Sequence, residues 1–242
     1  MTKKKSYGKK YKALVTGGTR GIGLAVARRL LSDGCDILIT GTSHNPIIPK
    51  GMQYKKLILD NPSSLKKFII YIKKEKIDIV INNAGINIIS EFSKIKEKDF
   101  DRIMKINLNG PFLINQAVIP NMMKNNWGRV INVSSIFGTV SKQFRGSYSM
   151  SKFALNGMTL AMSAELSKYG ILVNSISPGF IDTDLTRKIN TPKEFRDLEK
   201  SVPIRRLGST NEIAAFISWL VSSENSYVTG QNLIIDGGFT SV

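Results

Sequence analysis

The sequence predicts an α/β fold: a single-domain, doubly wound parallel sheet of about seven strands with helices on both faces. Three observations predict it. Short runs rich in β-branched residues recur along all 242 residues. Most of these runs are too apolar to alternate, as expected of parallel strands covered on both faces. The stretches between them carry helical periodicity, which builds strand–helix–strand units with right-handed crossovers. The length suits one such domain, and no internal repeat or linker divides it. The basic segment MTKKKSYGKKY (1–11) reads as a disordered tail, and 12–242 as the domain.

Taken in order, KALVT (12–16) opens the sheet. GLAVARRLLSDG follows as a helix, with Ile22, Val26 and Leu30 near one face and Gly34 as its stop. DILIT (36–40) is the second strand. The stretch after it, GTSHNPIIPKGMQ, holds Pro46, Pro49 and Gly51, so the helix due there is lost or reduced to a turn. KLIL (56–59), DIVIN (78–82), RVINV (129–133), LVNSIS (172–177) and NLIID (232–236) complete the strands. The segment 184–208, DLTRKINTPKEFRDLEKSVPIRRLG, reads as a mobile lid containing a helix.

Composition excludes several functions. The chain is 42% hydrophobic and 22% charged, ordinary for a globular protein. Its apolar run IAAFISWLV (213–221) is far short of the ~20 residues a bilayer crossing needs, and the basic start is followed by no apolar signal region. No membrane association is expected, and the location expected is cytoplasmic. Cys35 is the only cysteine, which excludes an intramolecular disulfide and a thiolate metal site. The net charge of +17 raises the question of nucleic acid, but the lysines are spread over tail, loops and helix faces. This is a solvated basic surface, suited to an acidic protein partner or an anionic substrate.

The stretch LVTGGTRGIG (14–23) carries the first chemistry. It lies where the first strand hands over to its helix, at the carboxyl end of the sheet where ligands of such folds bind. Glycines there let backbone amides and a helix N-terminus approach a pyrophosphate. Further along, Tyr148 and Lys152 are four apart and share one helix face, and Ser135 ends a strand ahead of them.

From these residues onward the chain resembles the short-chain dehydrogenase/reductase family. Thr16, Gly17, Gly21 and Gly23 meet its glycine pattern. LDN (59–61), NNAG (82–85), Asn107 in MKINLNG, VSS ending at Ser135, YSMSK (148–152) and SPGFIDT (177–183) follow in the family's order, from about Lys12 to Gly238. Within the family the pattern is most similar to that of 3-oxoacyl-acyl-carrier-protein reductases. The resemblance implies a Rossmann-like fold, an NADP(H) cofactor and a homo-oligomer, tetramer or dimer, formed through the long helices and the final strand.

It also implies roles. Gly17, Gly21 and Gly23, with Thr19 and Ile22 beside them, would seat the pyrophosphate. Arg20 and the Thr42 hydroxyl would meet the 2′-phosphate, since the acidic residue that NAD users place after the second strand is missing. Asp60 and Asn61 would flank the adenine, and Asn83, Ala84 and Gly85 would follow the adenosine ribose. Pro178, Gly179, Ile181 and Thr183 would seat the nicotinamide amide and phosphate. In catalysis Tyr148 would supply the proton, Lys152 would favour its phenolate and hold the nicotinamide ribose, Ser135 would bond the carbonyl oxygen, and Asn107 would hold a relay water. The substrate implied is a 3-oxoacyl group on an acidic acyl carrier protein, with Arg129 placed to meet the carrier. Alternatives are a different small ketone, keto sugar or alcohol, or a non-catalytic NADPH-binding regulatory protein. The substrate would be shaped by Ile136, Phe137, Phe144, Arg145, Phe180 and the segment 184–208.

Overall fold

The computed structural model describes residues 10–242. The chain runs β1 (Lys12–Val15), α1 (Gly21–Ser32), β2 (Asp36–Gly41), β3 (Met52–Lys56), α2 (Pro62–Ile72), β4 (Ile79–Asn82), α3 (Glu97–Met104), α4 (Gly110–Lys124), β5 (Gly128–Val133), α5 (Gly146–Leu166), β6 (Ile171–Pro178), β7 (Ile181–Asp182), α6 (Asp184–Ile189), α7 (Pro192–Ser201), β8 (Gly208–Ser209), α8 (Thr210–Leu220) and β9 (Asn232–Ile235). Seven strands form one sheet in the order β3-β2-β1-β4-β5-β6-β9, every neighbouring pair parallel. The order turns back between β1 and β4. The crevice of a doubly wound sheet opens at that switch point, above the carboxyl ends of the strands.

The apolar runs make strands because each is covered on both faces. Ala13, Val15, Ile37, Ile39, Ile79 and Ile81 pack toward α1 and α8 with Val26, Leu30, Ile213 and Ile217. Leu14, Leu38, Val80, Val130 and Val173 pack the other way, against Leu65, Phe68, Ile72, Ile114 and Met122 of α2 and α4. Neighbouring residues of β1 thus serve opposite cores, which removes the polar positions that alternation would need.

One expected strand is displaced. KLIL (56–59) is not the third strand; Met52–Lys56 is, paired with β2 from Ile37↔Met52 to Gly41↔Lys56. At the sheet edge β3 alternates, with Met52 buried and Gln53 and Lys55 exposed, and so has the half-polar sequence MQYKK. Leu57 and Leu59 are buried from the connection that follows, which is why they looked like strand residues. The missing helix after β2 is as expected, for residues 42–51 contain none.

Residues 1–9 of the expected tail lie outside the described residues. Tyr11, assigned to that tail from sequence, stacks on Trp127 with ring centroids 3.8 Å apart. The segment 184–208 holds two helices, α6 and α7, and its ends are joined by the short ladder Ile181↔Gly208 and Asp182↔Ser209.

Candidate active site

The glycine loop leaves β1 at Thr16, whose Oγ1 accepts from the backbone N–H of both Asn83 and Ala84 at 3.0 Å. Asn83 Nδ2 donates in return to Thr16 O and Gly17 O. The ends of β1 and β4 are therefore tied into one floor. Gly17 stands at φ +64°, a turn a side chain would strain. A Cβ at Gly23 would lie 2.4 Å from Gly17 O, so α1 can approach the loop only with glycine there. Helix α1 then begins with no side-chain cap and no acidic residue in its first turn. Helices α7 and α8 differ: both start with capping boxes that consume their first amides. The free amides of α1, close-packed glycines and lack of negative charge suit a pyrophosphate.

The 2′ end of such a ligand would meet Arg20, exposed at the N-cap, and exposed Thr42. Gly41 cannot carry an acidic side chain as packed, because its Cβ would lie 2.8 Å from Thr19 Cγ2. Beside it Lys56, in register with Gly41, places Nζ 2.6 Å from His44 Nε2. Sequence reading missed Lys56 because it placed the third strand at 56–59, so that this residue began the strand rather than ending it opposite Gly41. Asp60 pairs with Arg102 at 2.8 Å, and Asn61 caps α2 by accepting from Ser64 N at 2.9 Å. Both side chains have structural partners here. Pro178 ends β6, Gly179 follows it, Ile181 is buried in β7, and Thr183 caps α6 with its methyl facing Gly21.

The expected catalytic groups converge from three elements. Ser135 follows β5, Tyr148 and Lys152 come from the first two turns of α5, and Asn107 comes from a π-helical turn between α3 and α4. Ser135 hydrogen-bonds Tyr148. Burial pushes the Tyr148 phenol above its ordinary value, against the pull of that hydrogen bond and of the positive charge on Arg145. Arg145 is thus a positive neighbour of the phenol in addition to Lys152, the one expected from sequence. The Lys152 ammonium donates to Val133 O at 2.8 Å and lies 5.5 Å from the Tyr148 ring centroid. Burial pushes it down to about 8. Asn107 Oδ1 accepts from Ile86 N and Nδ2 donates to Ile86 O, both at 2.9 Å, with a further donation to Ser151 Oγ. This holds the strand-to-helix loop beside Gly85, where a Cβ would come 3.6 Å from Lys152 Nζ.

Sequence reading also missed what fixes α5. Asn82 donates to Asn115 and Asn132, Asn132 donates to Thr159, and Thr159 meets Ser175, all buried. The asparagines inside NNAG and RVINV were the available signal.

A family model described as enoyl-(acyl carrier protein) reductase matches residues 17–240. The chain belongs to the short-chain dehydrogenase/reductase family. It is an oxidoreductase, and this short-chain dehydrogenase/reductase binds a nicotinamide cofactor as its family does. The 3-oxoacyl-(acyl-carrier-protein) reductase FabG of Vibrio cholerae is 37% identical over 237 residues, covering 93% of this chain and 96% of its own length. Its Escherichia coli K12 counterpart is 35% identical over 238 residues, covering 95% and 97%. Among solved structures, a gluconate 5-dehydrogenase from Burkholderia cenocepacia, in complex with NADP and tartrate, superposes with TM-score 0.86 at 28% identity over 96% of each chain. A short chain dehydrogenase family protein from Francisella tularensis gives TM-score 0.90 at 25% identity, covering 97% of this chain and all of that one.

Around the site of this reductase-family chain the structure corrects one expectation. Arg129 is not a docking residue at the surface. It is only 5% exposed, the second residue of β5, and donates to Gly128 O, Gly170 O and Asn225 O while lying over Trp127. An arginine in a strand looks alike in sequence whether it points to solvent or to carbonyls. Of the expected substrate-shaping residues, Ile136 is buried in the turn after Ser135 and Phe180 packs edge-on against Phe239. Phe144 is exposed and lines a hollow of about 450 Å³ with Ser90, Phe92, Met150 and Phe153. Among the described residues no helix is long and apolar enough to cross a membrane, and no group of three or more His, Cys, Asp or Glu could hold a metal.

Proposed function

We propose that this protein reduces a ketone to a secondary alcohol with NADPH. The observation that carries the reading is the Ser135–Tyr148 hydrogen bond beside buried Lys152, at the switch point of the sheet. Bound NADPH supplies the hydride. Tyr148, its phenol held protonated by burial, gives the proton to the carbonyl oxygen. Ser135 donates to that oxygen as negative charge grows on it. Lys152 gives up a proton near neutrality, because burial lowers it to about 8, and so can return one toward the phenolate and bond ribose hydroxyls. Asn107 keeps the Ile86 backbone in place and with it the wall around the ammonium. Arg20, Thr42 and neighbouring Lys56 support preference for the 2′-phosphate.

The substrate most favoured by similarity is a 3-oxoacyl group carried on acyl carrier protein, the substrate for which the two FabG relatives are named. The basic surface supports an acidic carrier. A small polar ketone is a second reading, favoured by buried Arg129 and by Arg145 beside Tyr148. We also infer a homo-oligomer. Phe112, Phe153 and Leu160 are exposed on α4 and α5, and Ile234 on edge strand β9, which leaves apolar surface to cover. A monomeric mass by light scattering would refute that inference.

The test is an NADPH-oxidation screen over 3-oxoacyl thioesters, keto sugars, steroids and quinones, with Tyr148→Phe beside the wild type. The variant should lose at least ~100-fold in kcat on every substrate, with NADPH binding nearly intact. A variant that keeps a large fraction of the rate would remove Tyr148 from its role.

A further inference from the structure

Strand β3 ends at Lys56, and its last two residues serve opposite faces of the sheet. Lys55 turns to the α2 side, where its ammonium lies 4.6 Å from the centroid of the Tyr71 ring. Tyr54 packs into the core beneath α1, and Lys56, two residues on, shares its face. Lys56 stands in register with Gly41 of β2. The same glycine is met from the other side by Thr19, the residue before Arg20, since a Cβ at Gly41 would lie 2.8 Å from Thr19 Cγ2. The glycine loop is itself bound to β2, with Gly18 N donating to Thr40 O at 2.9 Å and Gly17 N to Thr40 Oγ1 at 3.3 Å. Lys56 and the loop that carries Arg20 therefore flank the end of β2 from its two sides.

The crossover from β2 to β3 brings a further group to this place. Residues 42–51 hold no helix, and the segment adds half-buried Ile48 to the core under α1. The Tyr54 hydroxyl pins its start, shared between Gly41 O at 3.0 Å and Ser43 O. His44 then returns to the strand end, with Nε2 2.6 Å from Lys56 Nζ. An ammonium can only donate, so the imidazole nitrogen is the acceptor and two of the three N–H groups of Lys56 stay free for another ligand. The pair is exposed, so a ligand can reach it. No carboxylate pairs with Lys56 or with Arg20 among the ion pairs of the described residues.

We propose that the 2′-phosphate of NADPH is held by two cations from opposite sides of β2, Arg20 from the glycine loop and Lys56 from edge strand β3, with His44 as the positioning residue that keeps the Lys56 ammonium at that strand end. A phosphate monoester carries about −1.5 to −2 charges at neutral pH, more than one guanidinium neutralises. The planar fork of Arg20 can take two of its oxygens, and the point charge of Lys56 the third. A lysine stem left to itself spreads over many rotamers. One acceptor on His44 gathers it before the ligand arrives, which lowers the ordering cost of binding. The inference rests on the reading that this chain prefers NADPH, and adds that the preference outlasts the loss of Arg20 alone.

The experiment measures Kd for NADPH and for NADH by calorimetry on the whole chain and reads selectivity as the ratio of the two. Wild type should favour NADPH by ~100-fold or more. Lys56→Met should lower that ratio at least about fivefold while NADH binding stays within about threefold of wild type, which shows the rest of the seat intact. Arg20→Ala should lower the ratio yet leave NADPH preferred, and the double variant should bring it below about threefold. His44→Leu should repeat part of the Lys56→Met loss, and His44→Gln, which keeps an acceptor, should restore it. In the Lys56→Met background His44→Leu should change nothing further. A ratio unmoved by Lys56→Met, or a preference abolished by Arg20→Ala alone, overturns the proposal. A further fall on adding His44→Leu to Lys56→Met overturns the positioning role, because His44 would then meet the ligand itself. A wild type that does not favour NADPH overturns the cofactor reading as well, so the two failures are told apart.

Discussion

Lys152 donates its ammonium to the Val133 carbonyl from a side chain 4% exposed, and burial pushes it down to about 8. In the unfolded chain a lysine titrates near ~10.4. Between about 8 and that value the unfolded chain holds a proton that the folded chain has released, so stability rises with pH across this window. Below about 8 the whole cost of burying the charge is present, about 3 kcal/mol from the size of the shift. Lys152→Met keeps the length of the side chain and removes that cost, but leaves Val133 O without its donor, which offsets about 1–2 kcal/mol. The variant should therefore be more stable at pH 7 by about 1–2 kcal/mol, a rise of a few degrees in Tm, while losing turnover. Its Tm should also lose the climb between pH 8 and 10 that the wild type shows; a lower Tm at pH 7 would mean that the hydrogen bond outweighs the desolvation. Arg20 acts in the opposite sense, exposed and unneeded for the fold. Arg20→Ala should weaken NADPH binding by about 1.5–3 kcal/mol and NADH binding far less, as read by calorimetry with each cofactor. Equal losses would place the 2′-phosphate elsewhere.

At the scale of elements, the join between the glycine loop and α1 is the proposed cofactor seat. Gly23→Ala puts a methyl group 2.4 Å from Gly17 O and 2.5 Å from Asn83 Nδ2, so helix and loop must separate. Overpacking of this kind costs about 1–3 kcal/mol. The variant should melt earlier and, more tellingly, lose most of the Tm rise that NADPH gives the wild type, measured in paired thermal scans. An unchanged NADPH-induced rise would detach this loop from the pyrophosphate. The same loop shows why much of the fold was legible. Strands buried on both faces read as continuous apolar runs, and glycines between such a run and a helix have few other uses. The edge strand β3 was misplaced because MQYKK is half-polar, while Leu57 and Leu59 supply apolar character from a loop. Ser135, Asn107, Tyr148 and Lys152 were legible as spaced motifs. The burial of Arg129 was not, since it depends on which distant carbonyls the fold brings near.

At the scale of the whole molecule, charge is the property most suited to a partner, and the burial of Arg129 changes how it can act. With 35 Lys and Arg against 18 Asp and Glu, the chain carries +17. Docking of an acidic carrier through such a surface is a long-range, screened attraction shared by many cations, with each exposed pair worth little. Removing one residue should then matter less than adding salt. Arg129→Ala would leave the carbonyls of Gly128, Gly170 and Asn225 without their donor and Trp127 without the guanidinium over it. Each such loss costs about 1–3 kcal/mol, so the variant should be destabilised by roughly 3 kcal/mol or more. Among molecules that remain folded, the preference for acetoacetyl carrier protein over a carrier-free acetoacetyl thioester should stay within about twofold of wild type. Raising salt from ~0.05 M to ~0.5 M, which shortens the screening length severalfold, should reduce that preference in both proteins. Rates on the two thioesters, taken at both salt concentrations below the melting temperature of the variant, decide the matter. A stable Arg129→Ala protein that has lost only its carrier preference would return Arg129 to the docking surface.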